Sequence, residues 1–529
     1  MKRFLAVCAC CAFVTAALAQ HDPTSVWPQF RADNAKSGRV SARGPATELD
    51  WFLDMDPIPN PDDPANPFSV IPSPAGFTVA GNGDLYYKSH DDNGSFVFRI
   101  DPDDGTILAQ SPNLGGAVGN YGGVAVGIDK VYVTVHPGNK IVVLDKTTLA
   151  VLDEWINPTF AGLRGTPLLG DIPNDNGHVN IYVQDRNANK IHAVDSATGT
   201  IMWSHPVPFP ALFSQLGPTW VTDDGRQALA FFATVGSDPN GIYPGAGVAL
   251  ADNGDNTYQV LWENAGPECF NWIGSGALSA DGSRIYVTTF WDCDNNTLWA
   301  VDVTDGHVIW GVPGNRGEPN EAEVAYNSFG RPAVLGNRVY IPGGYGLIAC
   351  FEDLGDTYEL KWEMRDLDGE VTSVSVAQGP DGVYVYGAKQ GVSEPEGFEE
   401  YVVLRDDGDS YTELLRMSLD LTRETSSGYA NNSVTIDADG NVYIGLGRAN
   451  WLAGVTPGAI YKFAPPAAAC PGDVDGDGDT DLSDLAALLA AYGTFTGDPN
   501  YNPAADFDSD GDVDLADLAF LLADYGCLP

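Results

Sequence analysis

The sequence predicts an all-β ring of eight small antiparallel sheets, followed by a compact all-α unit of two helices. Three observations predict this. A turn followed by an aromatic strand recurs eight times, at intervals of about fifty residues. A second phrase, strand, Asp-containing turn and strand closing on Trp, follows each recurrence in full or degenerate form. The last sixty residues change character, with an acidic stretch leading into an apolar helix written twice, 33 residues apart.

The N-terminal residues 1–19 read as a secretory signal. Lys2 and Arg3 form the charged start, an apolar run follows, and Ala17-Leu18-Ala19 supplies a small-residue cleavage site before Gln20. No later run approaches the ~18 apolar residues a membrane span needs. The formal net charge is −45, with 27 basic against 72 acidic residues. Such a surface argues against nucleic acid and anionic membranes as partners. It suits an extracellular or cell-surface protein, and a periplasmic location is also compatible.

Residues 20–466 form the repeated region. The first phrase appears as NGDLYY ending at Tyr87, IDKVYV at Val133, GHVNIYV at Val183 and GRQALAFF at Phe231. It continues as DGSRIYV at Val287, LGNRVYI at Ile341, PDGVYV at Val385 and ADGNVYI at Ile444. The second phrase is clearest from Lys190 to Trp203 and from Thr297 to Trp310, with looser forms ending at Trp155, Trp262, Trp362 and near Leu415. Apolar segments around D-G and T-G turns specify hairpins rather than parallel crossovers. Eight antiparallel units of this size suggest an eight-bladed β-propeller, in which radial closure protects the sheet edges. The last repeat stops after Ile460-Tyr461-Lys462-Phe463, so Leu49-Asp50-Trp51-Phe52-Leu53 is predicted to supply its missing outer strand and lock the ring.

Residues 467–529 hold the most legible chemistry. In the first copy Asp473, Asp475, Asp477, Asp479, Asp481 and Asp484 occupy relative positions 1, 3, 5, 7, 9 and 12, with Gly478 at position 6. In the second, Asp506, Asp508, Asp510, Asp512, Asp514 and Asp517 repeat the spacing, with Gly511 at position 6. Hard oxygen donors at these intervals, with glycine where the backbone turns, are the ligand pattern of a Ca²⁺ loop. An all-oxygen donor set disfavours Zn²⁺, and a flexible ring of many ligands disfavours Mg²⁺. Residues 470–529 contain fourteen Asp and no Lys, Arg or Glu, so without cations this unit is expected to fold poorly. Neither loop is preceded by a helical pattern, and the opening motion of a calcium sensor needs an entering helix. Two structural Ca²⁺ ions are the expectation. After the loops, Leu485, Leu488, Leu489 and Tyr492 match Leu518, Leu521, Leu522 and Tyr525, a stripe by which two helices could pack while their loops pair side by side.

Removal of the signal would take Cys8, Cys10 and Cys11 with it. Cys470 and Cys527 bracket the calcium unit, and a bridge there would stabilise it by roughly 4 kcal/mol in the chain-entropy model. Cys269 and Cys293 are a second candidate pair, which would leave Cys350 as a buried thiol.

The C-terminal segment resembles a type I dockerin: two loop-helix repeats that lack entering helices and close on Asp. The resemblance implies Ca²⁺ ligation by the twelve Asp residues above, with Asp479 acting through its backbone and Asp481 through water. It also implies a cohesin-like partner or a cell-surface scaffold. Leu482-Ser483 and Leu515-Ala516 depart from the hydroxyl pairs that the family uses to recognise cohesins. The repeated region, with its A-V-D-x-x-T-G-x-x-x-W phrase and the opening Trp27-Pro28-Gln29-Phe30-Arg31, resembles the PQQ-like, quinoprotein alcohol dehydrogenase-like propellers. That resemblance implies a ring in which Trp docks between blades.

The sequence argues against PQQ itself. Quinoprotein dehydrogenases of this fold carry a vicinal disulfide near the cofactor, and many carry a haem-attachment C-x-x-C-H; neither occurs after the signal. G-x-S-x-G and H-E-x-x-H are missing too, and with 60 glycines isolated Gly pairs mean only turns. Glu263 and Glu268, near Trp272, could make a sugar-binding patch, but they read first as rim residues. The expected function is that of a secreted calcium-binding protein whose non-catalytic propeller is a binding or scaffold platform and whose tail docks to a partner. The alternative is an extracellular carbohydrate-active enzyme, an O-glycosyl hydrolase or lyase of polysaccharide catabolism, attached through the same tail. A PQQ-dependent dehydrogenase is the remote alternative.

Overall fold

The computed structural model describes residues 39–42, 44–55, 71–72, 76–90, 94–116, 122–207, 216–234, 245–265, 276–288, 296–313, 332–343, 347–365, 370–390, 400–419, 434–450, 454–466, 470–475, 479–508 and 510–527. Residues 1–19, the Trp27–Arg31 opening, Cys269, Cys293, Glu268, Trp272 and Asp477 fall outside them. The chain divides into two compact units, Met1–Ala464 and Pro465–Pro529.

The larger unit is an eight-bladed β-propeller: eight separate sheets, with consecutive strands antiparallel neighbours within each. The eight aromatic phrases each fall in the second strand of a blade, from Leu85–His90 through Lys130–Val135 to Val442–Asn450. These strands are continuous apolar runs because each sheet is covered on both faces by its neighbours. The core is accordingly distributed over the seams. Tyr86 and Val97 of the first blade, for example, pack with Val131, Val133 and Val142 of the second. Outer strands turn to solvent, as in Val151–Ile156, where only Trp155 is buried.

The ring closes as the truncated last repeat predicts. Glu48–Asp54 pairs antiparallel with Gly454–Ala464, placing Phe52 opposite Tyr461 and Leu53 opposite Ile460. A second tie was not anticipated. Arg39–Ser41 adds a parallel strand to Glu370–Gln378, and Ala46 is then held by Tyr386 Oη (3.4 Å to its N–H) and Tyr401 Oη (2.8 Å to its carbonyl).

Where the second phrase closes on Trp, that side chain lies against the following blade, and Trp51 of the ring-closing strand does likewise. Trp51 of the last blade covers the turn of the first, where a Cβ on Gly105 would come within 2.9 Å of the indole, whose Nε1 donates to Pro102 O at 2.9 Å. Trp155 covers Gly199 more closely still, at 2.3 Å. In other seams a tyrosine takes the place of the bare turn. Trp203, Trp310 and Trp362 lie 4.9, 5.2 and 5.3 Å from Tyr258, Tyr358 and Tyr411.

The smaller unit carries two helices, α1 (Leu482–Ala491) and α2 (Leu515–Asp524), joined through a short 3-10 turn at Pro503–Ala505. Two expectations are corrected here. The apolar stripe is rotated: Leu489 and Leu522 are 54% and 53% exposed, and Tyr492 and Tyr525 also face solvent. The buried face runs instead from the closing carboxylate, through Asp484, Leu488 and Ala491 on α1, and Asp517 and Leu521 on α2. Anchoring that Asp inside the loop fixes the rotation of the helix. Nor do the loops pair with each other among the described residues. Thr480 pairs with Gly526 and Cys527, and Val513 with Gly493 and Thr494, so each loop is braced by the chain leaving the other repeat's helix. Cys470 and Cys527 form the disulfide, and Cys350 is a buried free thiol. No helix among the described residues is long and apolar enough to cross a membrane.

Candidate calcium site

Each acidic loop ends in a helix whose first turn is built to hold the loop shut. Asp481 is the N-cap of α1 and Asp484 its third residue, together forming a capping box. Asp484 Oδ2 accepts the Asp481 N–H at 2.7 Å, while Oδ1 accepts those of Val474 and Asp475 at 2.7 and 3.1 Å. Asp514 and Asp517 repeat the box on α2, and Asp517 accepts from Asp514 at 2.8 Å and Phe507 at 2.7 Å. One fully buried carboxylate thus draws the start and the end of each loop together. Burial opposes ionisation of Asp484, but the three N–H donors outweigh it and hold its pKa below the usual carboxylate value.

The other carboxylates converge on these anchors. Oxygens of Asp473, Asp475 and Asp484, and of Asp479, Asp481 and Asp484, lie within 4.8 Å of one another. Asp506, Asp508 and Asp517, and Asp512, Asp514 and Asp517, form the matching groups in the second loop. Asp510 orders the backbone, accepting the Asp512 N–H at 3.1 Å, and its own N–H donates to Asp508 at 3.3 Å. Asp477 lies outside the described residues.

Two observations test whether a cation fits. Buried oxygens Asp506 Oδ1 and Asp512 Oδ1 have no hydrogen-bond partner among the described residues. A buried carboxylate oxygen without a donor is costly, and a hard cation supplies what is missing. Loss of hydration also raises the pKa of Asp508 and Asp512, with nearby carboxylates, Asp510 among them, adding to the rise. Negative charge is therefore concentrated beyond what the protein's own donors neutralise, in an all-oxygen set suited to Ca²⁺.

Sequence reasoning missed two supports. Tyr501 donates to Asp506 Oδ2 at 2.5 Å, and Asp524 Oδ2 accepts from Gly472 N at 2.7 Å and Thr480 Oγ1 at 2.8 Å. Only the contact partners identify these roles, because neither residue sits in the ligand spacing. On the propeller, Asp302, Asp305 and His307 also cluster, but in a solvated turn where His307 Nδ1 already meets Asp305 at 2.6 Å. Glu263 is exposed on its outer strand, and its charge partly offsets the burial that lowers the pKa of His205.

Comparisons with known proteins follow the same division. The PQQ_2 family model, outer membrane protein assembly factor BamB, matches residues 93–252 and 246–394. The dockerin type I domain model matches residues 471–523. Among solved structures, quinohemoprotein alcohol dehydrogenase from Comamonas testosteroni is similar at 14% identity and a TM-score of 0.50, over 84% of this chain and 81% of that one. Dihydro-heme d1 dehydrogenase NirN in complex with DHE gives 12% identity and a TM-score of 0.43, over 80% and 81%. Hydrazine synthase of Kuenenia stuttgartiensis gives 15% and 0.33, over 51% and 71%. No curated protein matches the chain. At these identities the structural likeness concerns the fold alone.

Proposed function

This chain belongs to the PQQ-like β-propeller family and ends in a type I dockerin domain, and from that premise we propose a secreted, calcium-loaded docking protein whose propeller is a binding or scaffold platform. Dockerin domains bind Ca²⁺ and dock to cohesins, so calcium-dependent docking comes with the domain. The finer reading is that two ions are held, one by Asp473, Asp475, Asp477, Asp479, Asp481 and Asp484, the other by Asp506, Asp508, Asp510, Asp512, Asp514 and Asp517. The observation that carries it is the convergence of two carboxylate groups on each closing Asp, with buried oxygens in the second loop that lack a partner among the described residues.

The chain's own part is to pre-form the ring of oxygens. Bound calcium would supply the positive charge that lets six carboxylates share one loop, fixing the surface the helices present. The partner is proposed to be a cohesin-like domain or cell-surface scaffold outside the cell. Asp484 and Asp517, already held by backbone N–H groups, spend little ordering entropy when the loop closes on an ion.

The test is calcium titration of the full chain by calorimetry, followed by capture of recombinant type I cohesin with and without EGTA. Two sites and chelator-sensitive capture are expected. Retention of cohesin at equal strength in EGTA would count against the docking reading, and absence of calcium heat would remove its basis.

A further inference from the structure

We propose that a clasp made by the Cys470–Cys527 disulfide and Asp524 positions the first acidic loop for its cation, so that this loop's calcium affinity depends on the clasp and the second loop's does not. The inference rests on the two-ion reading above.

Position 8 of each loop is tied to the other repeat. Thr480 and Val513 are fully buried, and each commits both backbone groups to the chain beyond the opposite helix. Val513 N donates to Thr494 O at 3.0 Å, and its carbonyl accepts from Gly493 N at 2.7 Å. Thr480 N donates to Cys527 O at 2.9 Å, and its carbonyl accepts from Gly526 N at 2.8 Å. The two braces are alike in pattern but are fastened differently.

The brace of the second loop continues along the chain: Thr496 N and Oγ1 both donate to Gly511 O, at 2.8 and 3.0 Å. The brace of the first loop is fastened by the clasp. The disulfide ties Cys527 to Cys470, three residues before the loop. Asp524 Oδ2 takes two hydrogen bonds, from Gly472 N just before the loop and from the Thr480 hydroxyl at its centre. Gly472 permits this approach, since a Cβ there would lie 2.7 Å from Thr480 Cγ2. None of these residues has a counterpart in the other repeat. Thirty-three residues away, Cys470, Gly472, Asp524 and Cys527 are matched by Pro503, Ala505, Ala491 and Thr494. A fastening written once in a duplicated unit makes the two loops unequal.

Thr480 lies between Asp479 and Asp481, two of the proposed ligands. Releasing Gly526 and Cys527 frees both backbone groups of Thr480, and the oxygens on either side of it lose their fixed separation. Removing outer supports of metal ligands typically costs about 10- to 100-fold in affinity.

The experiment is calorimetric Ca²⁺ titration of the full chain, its Cys470→Ser/Cys527→Ser variant and its Asp524→Ala variant, which keeps the disulfide. Amide hydrogen exchange at Thr480 and Val513 is followed in parallel. Both variants should lose about tenfold or more at one site while the other stays within about twofold. The Thr480 amide should exchange faster while Val513 stays protected. Equal weakening of both sites, or no change at either, overturns the proposal. A wild-type chain without two sites overturns the reading beneath it, so the two failures are distinguishable. Asp524→Ala and the exchange measurement decide the matter even where the cysteine variant fails to fold.

Discussion

Single side chains carry much of the propeller's seam chemistry, and Asp406 shows how. Its carboxylate accepts from Arg338 Nη1 at 2.5 and 2.6 Å, from Tyr340 Oη at 2.6 Å and from Trp362 Nε1 at 3.0 Å, all in the preceding blade. Burial raises its pKa, but these donors outweigh burial and the net shift is downward. Asp406→Asn leaves Arg338 and Tyr340 facing a neutral amide, and should cost about 3 kcal/mol in chemical denaturation; a loss under about 0.5 kcal/mol would show the seam does not need the charge. Lys88 is the opposite case. It is buried between the first two blades, its Nζ donates to Thr134 O at 2.9 Å, and burial lowers its pKa to about 7. Unfolded lysine titrates near 10.4, so between about pH 7 and pH 10 the unfolded chain holds a proton the folded chain lacks. Stability from this group is fully present above the unfolded pKa and is lost as pH falls towards 7, by about 1.4 kcal/mol per pH unit. Lys88→Met should abolish that slope and raise stability near neutrality. Parallel stability–pH curves for both proteins would contradict this.

At the scale of elements, the seam between consecutive blades explains why the second phrase ends as it does. Gly199 has φ +71° and lies under Trp155, so alanine there meets both a strained backbone and an indole at 2.3 Å. Gly199→Ala should destabilise the chain by about 2 kcal/mol or more, whereas Gly225→Ala, with φ +84° but nothing within 4 Å, should show only the backbone share of about 1 kcal/mol. Equal effects at the two sites would mean the Trp contact is incidental. The Gly and the Trp were both legible as a repeated phrase, as was the closing strand Glu48–Asp54, because local periodicity and turn chemistry determine them. The parallel strand Arg39–Ser41 was not legible: three residues with no turn signal pair with a segment over three hundred residues away. In the tail, the clustering of carboxylates was readable because Asp recurs at fixed intervals in each loop and each set converges on its closing Asp. The rotation of α1 and α2 was not, since the exposed apolar Leu489 and Leu522 mimic a core stripe and only the buried Asp484 and Asp517 reveal the true inward face. Asp524 escaped for a related reason, because it supports a loop distant in sequence.

The molecule as a whole is two compact units with different sources of stability. The propeller is held by apolar seams and by interblade carboxylates paired with protein donors, and its ring is closed by the antiparallel pairing of Glu48–Asp54 with Gly454–Ala464. The tail has a small core around Leu488, Ala491, Val513 and Leu521, a disulfide, and carboxylates that repel until neutralised. Ligand binding stabilises only the state that binds, by about 2.7 kcal/mol per site when free calcium is a hundredfold above the dissociation constant. Scanning calorimetry should therefore show two transitions in millimolar calcium, of which EGTA lowers one and leaves the larger propeller transition in place. Acidification to about pH 3 should mimic chelation selectively, because protonating the loop carboxylates removes the ligand charge. A single transition that moves as one body with calcium would show that the two units share their stability, and would sink the picture of a self-sufficient ring carrying an ion-dependent dock.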